Sequence, residues 1–355
     1  MRKELFSSKR FWALVGLLFV ILVSMGSIAY FSLSYQGVAE YVTFSNGDIN
    51  LAGVLVRPNT NGNYPAIVLL HGSGEQTYNK WYYRIHTNAF LRQGFAVLSY
   101  DKRGSGNSDG DLSTATYSDL ITDSLAAVFF LRNQPNIIPE QIGLLGVSES
   151  GWLTPEIAAR DGKIAFIVNR AGSPLPWTTT VLFEVKNDLI NEGMSEATLP
   201  ETLQLQTDIW KFYMNSAMDE SIANGPERDR INGLISEMQN HSETKGLFTP
   251  LPDYDKEAYA FRASRYAYNP QPFLEKIDIP ILYVLAGQDI NIPFEESVDY
   301  LERLKLEFHK NITVQSYPEA GHYLYRWNAI PIEGLYVPDY LNLIASWSVA
   351  EISEK

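Results

Sequence analysis

The chain has 355 residues, with 41 acidic against 28 basic side chains, a formal net charge of −13, and no cysteine. An apolar share of 45% with 13% aromatics fills a core of one large or two ordinary domains, which excludes wholesale disorder. Absence of cysteine excludes disulfides, thiolate metal sites and cysteine nucleophiles, and the acidic balance argues against nucleic acid and, more weakly, against polyanionic substrates.

Residues 1–10 carry Arg2, Lys3, Lys9 and Arg10 against Glu4. From Phe11 to Leu33 there is no charged residue, a run of 23 that spans roughly 34 Å as a helix, enough to cross a bilayer. A basic flank stays cytoplasmic, so the chain beyond about residue 35 is expected outside. The segment 1–35 reads as an uncleaved signal anchor, since apolar character continues past Ala29. The competing reading is a cleaved signal peptide with Phe11–Val23 as its apolar core and Ser27-Ile28-Ala29 as the cleavage site. The expected location is therefore the cell membrane, single-pass, with the remaining chain extracytoplasmic, or secretion after cleavage.

Ala39–Phe44 and Ile49–Arg57 read as two strands of a hairpin around Asn46-Gly47. Further short apolar runs follow at Ala66–Leu70, Phe95–Tyr100, Ile142–Leu145, Ile164–Val168, Ile279–Leu285 and Ile312–Tyr317. Continuous Val, Ile and Leu runs fit strands of a parallel sheet buried on both faces. Helical patterns at Trp81–Arg92, Leu120–Arg132, Trp152–Arg160 and Phe294–Leu306 alternate with them. The expected class is α/β, a mostly parallel, doubly wound sheet.

The alternation breaks over 173–275, which has 16 acidic and 8 basic residues and no good strand run. A hundred residues cannot be a plain loop, so this segment is expected to be a helical cap over one end of the sheet. Its aromatics, Trp177, Phe183, Trp210, Phe212, Tyr213, Phe248, Tyr254, Tyr259, Phe261, Tyr266 and Tyr268, are candidates to line a pocket or to pack the cap.

The chemistry-bearing signal is Gly146-Val147-Ser148-Glu149-Ser150-Gly151, which follows a strand run and opens a helix. A serine there sits on a tight turn with its hydroxyl pushed out, provided small residues at −2 and +2 let strand and helix pass closely. Gly146 meets the first need; Ser150 stands where glycine is usual. Upstream, Leu70-His71-Gly72-Ser73-Gly74 ends a strand in a Gly-rich loop. The backbone N–H groups of Ser73 (alternatively Gly72) and Glu149 are the candidate oxyanion donors. His71 reads as structural, under that loop. Asp101-Lys102-Arg103-Gly104-Ser105-Gly106 lacks the third glycine and the helix of a dinucleotide fingerprint. Asp101 and Arg103 read as loop-fixing groups.

A serine nucleophile needs a base, and the base an orienting acid, in the chain order serine, acid, histidine for a site of this kind. Asp289 stands just past the run ending at Leu285, and His322 past the run ending at Tyr317. Three groups at three strand ends converge at the carboxyl edge of such a sheet. His309 precedes its strand, and His86 and His241 read as surface residues.

These five motifs together resemble a bacterial α/β-hydrolase of the esterase and serine-aminopeptidase-like group, over roughly 40–349. The resemblance implies the α/β-hydrolase fold, with 36–172 and 276–355 as its core and 173–275 as cap. It also implies Ser148 as nucleophile, Asp289 as acid and His322 as base. The expected activity is cleavage of carboxylic esters of small to medium acyl length, through an acyl-enzyme. One alternative is an exported peptidase or amidase on the same triad; another is a non-catalytic, membrane-tethered binding protein. No cofactor or metal is expected, and the expected partners are a small-molecule substrate and, through the N-terminal helix, the membrane.

Overall fold

The computed structural model describes residues 34–326 and 332–353, and before them only residues 12–13, 15–20, 22–24 and 26. Of the expected span Phe11–Leu33 only those residues are described, and its remainder, with the whole of the site Ser27-Ile28-Ala29, lies outside the described residues. Among the described residues no helix is long and apolar enough to cross a membrane.

The strands are β1 (Val38–Asn46), β2 (Ile49–Arg57), β3 (Tyr64–Leu70), β4 (Ala96–Tyr100), β5 (Ile137–Val147), β6 (Ile167–Arg170), β7 (Ile281–Ala286) and β8 (Ile312–Tyr317). The helices are α1 (Trp81–Arg92), α2 (Tyr117–Arg132), α3 (Ser150–Asp161), α4 (Trp177–Asn191), α5 (Leu199–Met218), α6 (Glu220–Ala223), α7 (Pro226–Met238), α8 (Lys256–Tyr266), α9 (Gln271–Leu274), α10 (Phe294–Glu307) and α11 (Tyr340–Ser353).

The sheet runs β1-β2-β4-β3-β5-β6-β7-β8. The hairpin strands β1 and β2 are antiparallel, and β2 meets β4 antiparallel. The rest, from β4 to β8, is parallel. This is the α/β-hydrolase fold. Strand residues alternate between two cores. Val68 and Leu70 of β3 face α2, α3 and α10 through Ile121, Ile157 and Leu301, whereas Ile67 and Leu69 face α1 and α11 through Phe90 and Ile344. Because both faces are covered, the strands read as unbroken apolar runs; each fully buried Ile or Leu contributes about 1.5–3 kcal/mol.

Polar chemistry moves several boundaries from where apolarity puts them. Helix α2 starts at Tyr117 rather than Leu120, because Thr116 and Asp119 form a capping box. Strand β5 starts at Ile137 rather than Ile142, since Ile137 pairs with Tyr64 across a register shift. Strand β6 lies over Ile167–Arg170 rather than Ile164–Val168, and so carries the buried polar residues Asn169 and Arg170 at its carboxyl end. Helix α11 adds an element beyond those expected; its buried residues Tyr340, Leu341, Ile344, Ala345, Ser348 and Ile352 recur at helical spacing along one face.

Helices α4 to α9 are inserted between β6 and β7. They hold a small core of their own, built on Phe212, Tyr213, Ile231, Ile235, Phe248 and Tyr259. Of the aromatics in this segment, those four rings therefore pack within it. Trp177, Trp210, Phe261, Tyr266 and Tyr268 line a cavity of about 1390 Å³ between the insertion and α2, Tyr266 also packing against that small core.

Candidate active site

Ser148 caps the carboxyl end of β5 with a positive φ of 51°, a conformation that costs a non-glycine residue about 1–3 kcal/mol. Its N–H is held by the Arg170 carbonyl at 2.9 Å. Gly146 is required there: a Cβ would stand 2.7 Å from Asn169 Oδ1 and 2.8 Å from Thr154 Cγ2. The serine at 150 fits because its hydroxyl folds back on the turn, accepting from Val147 N at 2.9 Å and donating to Val147 O at 3.1 Å. The close backbone approach falls one residue later, where a Cβ on Gly151 would lie 2.5 Å from Gly172 Cα.

The loops after β7 and β8 are tied together by Gly287 N–H to Tyr317 O and Gln288 N–H to Ala320 O, each 2.9 Å. They bring Asp289 and His322 to Ser148. His322 Nε2 lies 3.1 Å from Ser148 Oγ, and Nδ1 lies 2.9 Å and 3.0 Å from Asp289 Oδ2 and Oδ1. A carboxylate only accepts, so Nδ1 carries the proton and Nε2 accepts from the Ser148 hydroxyl. Asp289 is itself held by the N–H groups of Asn291 and Ile292, at 2.9 Å and 3.1 Å from Oδ1.

Of the candidate oxyanion donors, the Gly72 N–H is engaged, donating to Tyr83 Oη at 3.2 Å. Ser73 is set by Gln76, whose amide donates to the Ser73 carbonyl at 2.7 Å. The residue that sequence reasoning passed over is Lys102. Its ammonium donates to the Gly72 carbonyl at 3.1 Å and pairs with the Glu149 carboxylate, both side chains being buried. One cation thereby ties the β3 loop to the Ser148 turn. Lys102→Met would leave a buried unpaired carboxylate, so stability should fall by about 3–5 kcal/mol. Lys102→Met with Glu149→Gln should recover much of that loss. Urea unfolding of the two variants checks this, and an unshifted midpoint for the single variant would refute the pairing role.

His71 is buried edge-on to the rings of Tyr83 and Tyr100. Burial, with Lys102 and Lys80 nearby, lowers its pKa to about 3, so it is neutral. Asp101 accepts from the N–H groups of Tyr78 and Asn107, at 3.0 Å and 2.8 Å, and Arg103 pairs with Asp123 at 2.6 Å. His86, expected on the surface, is buried: α11 covers α1, and Tyr340 Oη lies 2.8 Å from His86 Nε2. His241 and His309 are exposed.

Two cavities of about 300 Å³ flank Ser148. One lies toward the insertion, against Trp152, Trp177 and Val181, and is also lined by Glu184 of α4 and Arg265 of α8. Glu184 accepts from Asn291 Nδ2 at 3.0 Å, and burial raises its pKa. The other lies on the His322 side, among Tyr82, Tyr83, Tyr325 and Tyr336. Among the described residues, no three or more His, Asp or Glu side chains gather in a metal-ligand arrangement.

The family model of the X-Pro dipeptidyl-peptidase (S15 family) matches residues 46–312. The chain belongs to the X-Pro dipeptidyl-peptidase (S15) family. Esterase EstD of Thermotoga maritima is 32% identical over 294 residues, covering 79% of this chain and 60% of that protein. Among solved structures, Est1E from Butyrivibrio proteoclasticus with ferulic acid bound superposes with a TM-score of 0.54 at 17% identity, covering 88% of this chain and 98% of that one. Pyrococcus horikoshii acylaminoacyl peptidase gives 0.54 and 17%, covering 88% of this chain and 41% of that one. Likenesses at such identity establish the fold. With the S15 match and the esterase relative, they place the chain among esterase- and peptidase-like α/β-hydrolases, as the five motifs implied. The S15 match ends at 312, so it takes in Ser148 and Asp289 and stops short of His322.

Proposed function

We propose that the chain is a serine hydrolase of carboxylic esters with small to medium acyl groups. The observation that carries this reading is the contact of Ser148 Oγ with a His322 whose other nitrogen is held by Asp289. Ser148 Oγ attacks the acyl carbonyl carbon as its proton passes to His322 Nε2, and Asp289 stabilises the resulting imidazolium. The N–H groups of Ser73 and Glu149 receive the oxyanion. The ester C–O bond breaks, and the alcohol leaves with the proton from Nε2. Water then attacks the acyl-enzyme, giving its proton to His322, and the acid departs as Ser148 regains its hydrogen. Cavities of about 300 Å³ on either side suit groups of modest size.

A second reading, cleavage of peptides or amides, draws on the S15 family and on Glu184, a carboxylate placed to hold a substrate ammonium beside Ser148. Hydrolysis of 4-nitrophenyl acetate, butyrate and octanoate, compared with Ala-Pro and acetyl-Ala 4-nitroanilides, separates the two. Turnover of esters alone supports the first reading; faster turnover of a nitroanilide replaces it with the second. A folded chain that cleaves neither and takes no fluorophosphonate label would leave a non-catalytic binding role.

Residues 1–35 hold this domain on the extracytoplasmic side of the cell membrane, with 173–275 as a cap over the site. The uncharged run behind a basic flank and the contribution of α4 and α8 to the Ser148 cavity support these assignments. The full chain should sediment with membranes and resist carbonate extraction, whereas 36–355 should not sediment. Recovery of the full chain in the carbonate supernatant would overturn the anchor.

A further inference from the structure

Arg170 ends β6, and its carbonyl holds the N–H of Ser148 at 2.9 Å, so this residue is one hydrogen bond from the nucleophile. Its side chain leaves the sheet into the cavity on the His322 side, yet only 4% of the residue is exposed. The other deeply buried cation near the site, Lys102, has the Glu149 carboxylate beside it. Arg170 has no carboxylate partner among the described residues, and its buried Nε–H has no acceptor.

The groups around this guanidinium are neutral. His86 Nδ1 faces the Tyr82 carbonyl at 2.7 Å, so it carries the hydrogen, and Nε2 accepts from Tyr340 Oη. Burial, chiefly, lowers the His86 pKa to about 4 and raises those of Tyr82, Tyr336 and Tyr340, so none of them supplies a counter-charge. The Tyr340 hydroxyl bonds the guanidinium but is neutral, and a full positive charge kept out of water without a counter-charge is among the more expensive arrangements a fold can hold. Here it sits in a cavity that opens on Ser148.

We propose that Arg170 anchors a carboxylate-binding subsite, and that the substrate carries one carboxylate seated in the tyrosine-lined cavity beside Ser148 and His322. The planar guanidinium fork matches a carboxylate in a two-bond geometry, which a lysine does not. The rings of Tyr82, Tyr325 and Tyr336 offer flat apolar walls for the carbon skeleton that bears it. The chain's net charge of −13 repels anions at long range, so preference for a carboxylate has to arise locally, and polyanions are disfavoured. This proposal deepens the ester-hydrolase reading and rests on Ser148 as nucleophile; the carboxylate belongs to either the acyl part or the leaving group.

Two matched pairs distinguish these sources. 4-Nitrophenyl hydrogen succinate against 4-nitrophenyl methyl succinate places the charge on the acyl side, and 4-acetoxybenzoate against 4-acetoxybenzamide places it on the leaving side. In one pair kcat/KM should favour the carboxylate at least tenfold, and Arg170→Met should bring that ratio to one or below. Arg170→Lys, which keeps the charge without the fork, should give an intermediate ratio. A binding readout needs no turnover: phenylacetate should raise the melting temperature of the wild type saturably and more than phenylacetamide does, and this difference should vanish in Arg170→Met. Should that variant not fold, the wild-type contrasts and Arg170→Lys still decide. Neutral esters cleaved with no carboxylate preference in either pair would overturn the subsite and leave the hydrolase reading intact. Arg170-dependent phenylacetate binding without ester cleavage would sustain the subsite and remove the ester reading. Equal responses to phenylacetate and phenylacetamide in a wild type that cleaves neither pair would overturn the subsite.

Discussion

Ser148→Ala is expected to lower ester turnover by up to ~10⁶ and to abolish labelling by a fluorophosphonate. The reason is local. Ser148 Oγ is the atom that meets His322 Nε2 at 3.1 Å, and alanine leaves nothing in its place to attack a carbonyl. The fold should be unaffected. The turn is held by backbone bonds of residue 148 to the Arg170 carbonyl and from Gly151, and alanine tolerates the positive φ no worse than serine does. Turnover of 4-nitrophenyl butyrate by the two proteins, with melting curves recorded beside it, decides the matter. A variant that keeps more than a hundredth of wild-type activity would show that the hydrolysis comes from another group.

The second large effect is expected from Asp289→Asn, at roughly 10⁴ in kcat. The N–H groups of Asn291 and Ile292 both point at Oδ1, so an asparagine would keep its carbonyl oxygen there and present its NH₂ where Oδ2 now stands. That NH₂ would face His322 Nδ1, 2.9 Å away, and force the hydrogen onto Nε2. The imidazole would then offer a donor to Ser148 instead of a lone pair, and the hydroxyl would have no base. Because volume and two of the hydrogen bonds are retained, the melting temperature should move little while kcat falls. A loss of stability in proportion to the loss of activity would mean that Asp289 chiefly holds the loop.

The strands and the site were legible to different degrees, for different physical reasons. Strands such as Ala66–Leu70 announce themselves because both faces of a parallel sheet exclude water, which leaves an unbroken apolar run. Asn169 and Arg170 at the end of β6 are buried although polar, so the same criterion stopped short at Val168 and missed them. Ser148, Asp289 and His322 could be picked out because glycine and turn residues follow each strand where the chain must reverse. The serine at 150 looked like a departure; its own hydroxyl closes the turn on Val147, while Gly151 supplies the close contact with Gly172. His86 was misplaced because a helical histidine reads as exposed until a distant helix, here α11, is seen to lie on it.

Sequence by itself was enough to determine the α/β class, the order of the strands along the chain, the strand-to-helix turn at Ser148 and the acidic, helical character of 173–275. These follow from local rules: apolar period, turn residues, and the charge each segment carries. Only the tertiary structure decided which strands are neighbours and that Lys102, by pairing with Glu149 47 residues away, joins the Gly72 loop to the Ser148 turn. It alone decided that Arg170 lies almost fully buried among neutral phenols, at the wall of a cavity that opens on Ser148. Pairing and burial depend on groups far apart in the chain, and the cost of an unpartnered charge exists only once the fold has taken the water away.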